Sequence, residues 1–280
     1  MTDLLSSDLF AMLELLAPAF CAGLVVSMTH VPLGQEVLRR GIIFIDLAIA
    51  QIAALGVVIG SVVFHIEGGI MSALLALSFA VAGSLVFGWL GHKVPKFQEA
   101  FIGCAFVLSA SLILLVLAGD PHGGEEMQGV LAGQILWVAW QQVLVTLMVS
   151  IGVLFVWWRF VARYPALFYI LFPVSITFAV QMVGVYLVFA SLIIPALASV
   201  SFTRSSSGGI SKRGRLMVGY LLAVFSVGSG LVFSVITDLP AGPVLVCWYV
   251  LCGGIMSLIH HIYQQNGSGI DGGLLSDREM

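Results

Sequence analysis

The sequence predicts an all-α, polytopic membrane protein of about nine transmembrane helices. Two observations predict it: 60% of the 280 residues are hydrophobic and only 9% are charged, and apolar runs of membrane length recur along the chain. A soluble domain carries about 25% charged residues, so most side chains here face something other than water. Because one helix needs about 20 apolar residues to cross a bilayer, nine helices leave only short loops and the two ends.

Turn residues and charges separate the predicted spans from one another, for example at Glu67-Gly68-Gly69 and around Pro95. Residues 1–264 are predicted to form a single transmembrane domain. Residues 265–280 are rich in Gly and polar side chains, and we predict a disordered cytoplasmic tail there. The predicted spans are 9–28, 42–64, 70–91, 99–118, 135–158, 166–183, 185–202, 216–236 and 241–262.

The basic residues orient these spans. If the loops alternate between sides, all 11 Lys and Arg residues fall on one side of the membrane. Cytoplasmic loops carry the excess of Lys and Arg, so that side is assigned to the cytoplasm. We therefore predict that the N-terminus lies outside and the C-terminus in the cytoplasm.

The composition and motifs argue against several classes of function. A net charge of −3 argues against a nucleic-acid partner, and the four cysteines lie in apolar runs without the spacing of a redox or zinc motif. The sequence contains no HExxH, Gly-x-Ser-x-Gly, Walker A or dinucleotide-binding motif. We therefore do not predict an enzyme, and any ATP hydrolysis would require a separate subunit.

Asp46 is the strongest candidate for a functional residue. It lies about a turn and a half inside the second predicted span, with Gln51 near mid-depth. Ionisable groups in hydrocarbon are costly and often line transport paths. The alternative is a buried carboxylate that a neighbouring helix satisfies, or one that reaches the interface. His30 and Glu36 fall in the first predicted inner loop, where they could make polar contacts near Asp46.

Two outer segments carry further candidate metal ligands. The loop 120–126 contains His122, Glu125 and Glu126, and imidazole with carboxylates suits a divalent transition metal. A solvated acidic loop is the ordinary alternative. Asp238 begins a turn at the outer end of the eighth predicted span, where it could cap the turn or stand at a pore mouth.

Pro195 lies in the middle of the seventh predicted span. A proline there removes a backbone hydrogen bond and is predicted to kink the helix. In membranes such a kink is tolerated where neighbours satisfy the freed carbonyl, often beside a cavity. Packing alone is the alternative explanation.

Five segments together resemble the membrane permeases of bacterial ATP-binding-cassette importers for zinc, manganese and iron. Leu192-Ile193-Ile194-Pro195-Ala196 is similar to that family's Leu-Ile-Ile-Pro-Ala helix, and Asp238–Pro243 to its Asp-x-Pro-x-Gly-Pro turn. The stretch from Arg39 through Asp46 to Gly56 resembles a basic turn followed by Gly-Asp-x-x-x-His. The remaining two segments are 97–117, which resembles the fourth helix, and 131–136, which resembles a Phe-Gly-x-x-Leu segment.

The resemblance implies a homodimeric permease in the bacterial inner membrane, embedded in lipid. It also implies two cytoplasmic ATPase subunits and a periplasmic metal-binding protein as partners. The cargo would be a divalent metal ion, zinc first and then manganese or iron, with no permanently bound cofactor. The ion would enter at the outer loops, pass Asp46 and Gln51, and leave past His30 and Glu36.

The sequence departs from the family pattern at two places. The family histidine position is Ala50 here, and Gln51 is turned about 140° from Asp46 on a straight helix. The inner segment that docks into the ATPase shrinks to residues 159–165. An ATP-independent metal carrier is therefore the alternative function, and a non-transporting scaffold or receptor is a third. The predicted ATPase contacts are Arg159, Arg163, Arg204, Lys212 and Arg213.

Overall fold

The computed structural model describes residues 2–66, 68–117, 135–201 and 211–276, and this part of the chain contains helices and no strand. The all-α prediction is confirmed. The nine α-helices of the described residues are α1 (Thr2–Arg40), α2 (Ile45–Phe64), α3 (Gly69–Lys93), α4 (Gln98–Leu117), α5 (Trp140–Val156), α6 (Phe168–Val183), α7 (Val185–Ser201), α8 (Lys212–Thr237) and α9 (Ala241–Ser276).

Eight helices in the described ranges are long and apolar enough to cross a membrane, and they match eight of the predicted spans. The ninth, α7, is apolar over Val185–Val200 but shorter. It follows α6 after the single residue Gly184, whose positive φ of 79° favours glycine. The polytopic architecture follows from these helices.

The first helix is longer than the sequence predicted. The first predicted span ended at residue 28, yet α1 continues through Pro32 and Gly34 to Arg40. Pro32 leaves the carbonyl oxygen of Met28 without its helical partner, and the Tyr220 hydroxyl donates to that oxygen at 2.8 Å. The placement of His30 and Glu36 in an inner loop was therefore wrong, because both residues belong to α1.

Pairs of contacting residues fix the relative directions of the helices. His30 and Gln35 of α1 meet Ser191 and Ser199 of α7 in the same order, so these helices run parallel. Helices α1 and α8 run antiparallel, since a Cβ at Gly23 would meet Val227 and one at Gly219 would meet Val31. Helices α2 and α3 are antiparallel by the same criterion. These directions are those expected if the loops alternate sides, while the side on which each terminus lies stays a prediction.

Helix α1 lies inside the bundle and packs on α5, α6, α7 and α8. Small residues such as Ala48 and Ala50 of α2 are fully buried, as is usual where membrane helices approach closely. Helices α3, α4 and α5 expose large apolar side chains, as lipid-facing surfaces do.

The last helix extends beyond the predicted ninth span. Helix α9 reaches Ser276, so the backbone of residues 265–276 is helical where the sequence predicted a disordered tail. The division of the chain at residue 264 stays a prediction.

Candidate functional site

Asp46 lies in the first turn of α2. The turn before α2 contains Gly41, whose φ of 70° is a conformation that glycine adopts at lower cost than other residues. The Asp46 side chain is 0% exposed, and among the described residues neither carboxylate oxygen has a hydrogen-bond partner on another helix. The carboxylate is therefore neither satisfied by a neighbouring helix nor extended to the surface. A buried charge without a partner is costly, which is the usual mark of a group that binds something.

Gln51 lies on the same helix but on another face. It is 1% exposed, and its Oε1 has no hydrogen-bond partner among the residues that the structure describes. Ala50, at the position of the family histidine, is fully packed in the core and offers no ligand atom. A chelate between positions 46 and 50 therefore cannot form in this chain.

His30 is fully buried between α1 and α7, and its Nδ1 lies 2.8 Å from Ser191 Oγ. The Ser191 hydroxyl donates its proton to the carbonyl oxygen of Val188 at 3.0 Å, so it accepts from Nδ1–H. This tautomer leaves a lone pair on Nε2, which is buried and has no partner within the described ranges. A neutral imidazole held at one nitrogen and open at the other is the arrangement of a metal-binding histidine.

Pro195 lies inside α7, four residues after Ser191. A proline removes the N–H that would bond the carbonyl four residues earlier, which here is the carbonyl of Ser191. That carbonyl therefore belongs to the same residue whose hydroxyl holds His30. Pro195 thus removes the usual helical donor from the carbonyl of the residue that orients the imidazole.

Other hydroxyl and amide groups line the same side of α1. Thr29 Oγ1 accepts from Ser175 Oγ of α6 at 2.8 Å, and Gln35 Nε2 donates to Ser199 Oγ of α7 at 3.2 Å. Polar groups therefore continue along α1 between α6 and α7, inside a bundle that is otherwise apolar.

Glu36 occupies the last turns of α1 and is held by local ion pairs. Arg39 and Arg40 both donate to its carboxylate, the Arg40 Nε at 2.7 Å. Arg40 also donates to the carbonyl oxygen of Pro165 at 3.2 Å, and its guanidinium lies 4.2 Å above the centre of the Phe168 ring. Glu36 is therefore a partner of arginines, and Arg40 joins the end of α1 to the short connection 159–165.

Asp238 stands apart from these buried groups. It is exposed at the end of α8, where it has a φ of 54°, and its N–H donates to the Ser234 carbonyl. Asp and Asn tolerate this left-handed conformation better than most residues, which supports its role as a turn residue. The predicted ligands His122, Glu125 and Glu126 lie outside the described residues. Within the described ranges, no group of three or more His, Cys, Asp or Glu side chains gathers at one point.

Glu99 is a site residue that the sequence analysis missed. It lies in the first turn of α4, and its Oε1 accepts the N–H of Phe44, the N-cap of α2, at 3.1 Å. Its Oε2 is buried and has no partner. An acidic residue at the start of a predicted span, on the same side as the start of α2, was the signal that could have identified it.

The basic residues predicted to contact an ATPase are exposed where they are described. Arg159 and Arg163 lie over the rings of their neighbours Phe160 and Tyr164 at 5.3 and 5.7 Å. Lys212 and Arg213 are exposed in the first turn of α8. Arg204 lies outside the described residues.

Known proteins provide three comparisons. A model of the ABC 3 transport family matches residues 12–164 and 160–259. The high-affinity zinc uptake system membrane protein ZnuB of Buchnera aphidicola is 24% identical over 275 residues, covering 90% of this chain and 98% of that protein. The ZnuB protein of Haemophilus influenzae is 22% identical over 259 residues, covering 84% and 94% respectively.

The fold is also found among solved structures. PsaBC from Streptococcus pneumoniae, in complex with Fab, has a chain that superimposes with a TM-score of 0.70 at 19% identity. The superposition covers 91% of this chain and 94% of the other. At that identity the likeness concerns the arrangement of helices alone.

Proposed function

The chain belongs to the ABC 3 transport family, and from that premise we propose that it is the permease subunit of an importer for a divalent metal, with zinc as the first candidate. The observation that carries the proposal is Asp46, a fully buried carboxylate without a partner in a membrane-spanning helix. The two relatives named above are zinc uptake proteins, and each aligns over more than four fifths of this chain. Manganese and iron are the next candidates.

The protein is a multi-pass component of the bacterial inner membrane, and its own residues supply the path. We propose that the ion enters near Asp238 and the loop 120–126 and then passes a polar site that includes Asp46, Gln51 and His30. The unpaired atoms Gln51 Oε1 and His30 Nε2 support this route, because each is a buried acceptor that a cation could use. Rearrangement of the helices around the site would expose it to each side in turn.

The proposed partners are a second copy of the chain, a cytoplasmic ATPase and a periplasmic metal-binding protein. The chain carries none of the motifs for ATP hydrolysis named above, so the ATPase would supply the energy. The exposed residues Arg159, Arg163, Lys212 and Arg213 are the proposed contacts for it, together with Arg204. The metal is cargo, and no resident cofactor is proposed.

One observation favours the alternative of an ATP-independent carrier on the same scaffold. The two stretches matched by the family model meet at residues 160–164, inside the short connection between α5 and α6. That connection consists of a π-helical turn at Trp157–Val161 and a 3-10 turn at Pro165–Leu167, with no further helix to dock into an ATPase.

Uptake of zinc-65 into proteoliposomes tests both functions. We expect the purified chain to accumulate zinc only together with its ATPase and ATP, and Asp46→Asn to lower that uptake at least about tenfold. The tail variant Asp271→Asn is the matched carboxylate-to-amide control. Uptake without ATPase would establish the carrier, and no uptake of zinc, manganese or iron under either condition would reject transport of these metals.

A further inference from the structure

Two carboxylates lie at the first turn of α2, one from α2 itself and one from another helix. Asp46 belongs to the turn itself, and Glu99 reaches it from α4 by accepting the Phe44 N–H. The helices α2 and α4 pack against each other. Two acidic side chains distant in the sequence thus meet at one corner of the protein, where Asp46 is fully buried and Glu99 is half-buried.

In the part of the chain that the structure describes, neither carboxylate is neutralised by a basic side chain. The ion pairs found in the described residues join Glu36 to Arg39 and Arg40, and none includes Asp46 or Glu99. Three carboxylate oxygens at this corner are buried without a hydrogen-bond partner: both of Asp46 and the Oε2 of Glu99. Buried polar atoms normally have partners, so three orphans at one place require an explanation.

The helix terminus by itself does not supply that explanation. The N-terminal end of a helix is equivalent to about half a positive charge, which can offset only part of two carboxylates. The Phe44 N–H satisfies one oxygen of Glu99 and leaves the other three unpaired. A divalent cation would offset the remaining negative charge and provide a partner for each oxygen.

We propose that Asp46 and Glu99 together form a binding site for a divalent cation at the N-terminal end of α2. Glu99 has two roles in this site: Oε1 caps α2 and so fixes the position of the Asp46 turn, while Oε2 contacts the cation. The charge pattern of the loops assigns this end of α2 to the cytoplasmic side, so the site is the last one before release. The proposal rests on the proposed function insofar as the cation is the cargo, but binding can be measured without transport.

The donor atoms define the class of cation. Carboxylate oxygens suit manganese, magnesium and calcium, while zinc is more often held with nitrogen or sulfur as well. Ala50 supplies no nitrogen at the position where the family has histidine. We therefore choose Mn²⁺ as the probe, with Zn²⁺ as a competitor.

The experiment separates a cation ligand from a helix cap. The purified full-length protein is titrated with Mn²⁺, free Mn²⁺ is measured by electron paramagnetic resonance, and thermal unfolding is recorded in parallel. Glu99→Gln keeps an oxygen that can accept the Phe44 N–H but removes the charge, whereas Glu99→Ala removes both. Asp46→Asn removes the charge from the other carboxylate, and Asp271→Asn is the control.

We expect Asp46→Asn and Glu99→Gln each to weaken Mn²⁺ binding at least about tenfold while the unfolding temperature of Glu99→Gln stays near that of the wild type. Glu99→Ala should lose binding and stability together. Wild-type binding by Glu99→Gln, combined with destabilised Glu99→Ala, would show that Glu99 is a cap only and overturn the proposal. Absence of Mn²⁺ binding by the wild type would overturn it as well.

The same variants distinguish this site from the proposed function. If metal uptake requires Asp46 but is unaffected by Glu99→Gln, the transport function stands and the joint site is rejected. If Mn²⁺ binding depends on both carboxylates while no metal is taken up, the site stands and the transport function is rejected.

Discussion

The hydroxyl of Tyr220 donates a hydrogen bond of 2.8 Å to the carbonyl oxygen of Met28. That carbonyl is the one that Pro32 leaves without a helical partner, because proline has no N–H. A residue of α8 thus replaces a hydrogen bond within α1. The consequence is that α1 continues past Pro32 and holds His30 inside the bundle.

Tyr220→Phe should therefore destabilise the protein by about 1 kcal/mol, since it leaves the Met28 carbonyl unpaired inside the membrane domain. Thermal unfolding of the purified protein measures the change. Pro32→Ala restores the N–H to α1, so Tyr220→Phe should cost less in that background than in the wild type. Equal costs in the two backgrounds would show that Tyr220 does not act through the proline.

Gly34→Ala should separate α1 from α7. A Cβ at this position would lie 2.0 Å from the backbone oxygen of Leu192, which cannot move as a side chain could. Overpacking of this kind costs about 1–3 kcal/mol, and the separation should also break the contact of His30 with Ser191. Thermal unfolding and zinc uptake should both fall. Gly103→Ala is the matched control, because nothing lies within 4 Å of the added methyl, and a full effect there would contradict the explanation.

His30→Asn should lower metal uptake at least about tenfold with little loss of stability. The asparagine amide nitrogen can replace Nδ1 as donor to Ser191, but the variant lacks Nε2. Ser191→Ala keeps Nε2 and loses the contact that orients it, so it should show a smaller defect in the apparent affinity for zinc. Concentration-dependent uptake measures both variants, and normal transport by His30→Asn would assign this histidine to packing.

Charge reversal in the short inner connection should affect energy coupling and leave metal binding intact. Arg159→Glu with Arg163→Glu changes two exposed cations, and charges at the rim of an interface act mainly on association. We expect several-fold less ATPase to co-purify and ATP-dependent uptake to fall accordingly. Lys93→Glu with Lys96→Glu makes the same change in another inner loop. If that control is equally defective, the effect is a general one of charge and the connection is not the docking element.

The number and order of the helices were predictable because composition decides them. Apolar runs such as 216–236 and 241–262 would be costly to expose to water, so they are expected in the membrane. Helices α8 and α9 include both runs. The buried state of Asp46 was likewise predictable from the residues around it. These properties depend on a single stretch of sequence at a time.

The errors concern relations between distant residues. Pro32 indicates a helix end when only the local sequence is considered. The helix continues because Tyr220, from a distant helix, donates to the carbonyl that the proline leaves unpaired. The partnership of Glu99 with Phe44 joins residues 55 positions apart, which no local pattern indicates. The burial of His30 follows from the first of these relations, so its placement was wrong for the same reason.

The joint between α6 and α7 restricts how this protein can move. Only Gly184 lies between the last residue of α6 and the first of α7, so the Cα atoms of Val183 and Val185 cannot be more than about 7 Å apart. These two helix ends stay close together, so α6 and α7 can separate only by changing the angle between their axes. A gap between them is therefore widest at the far ends, near Phe168 and Ser201, so a passage between these two helices would be a wedge that opens toward one side of the membrane only.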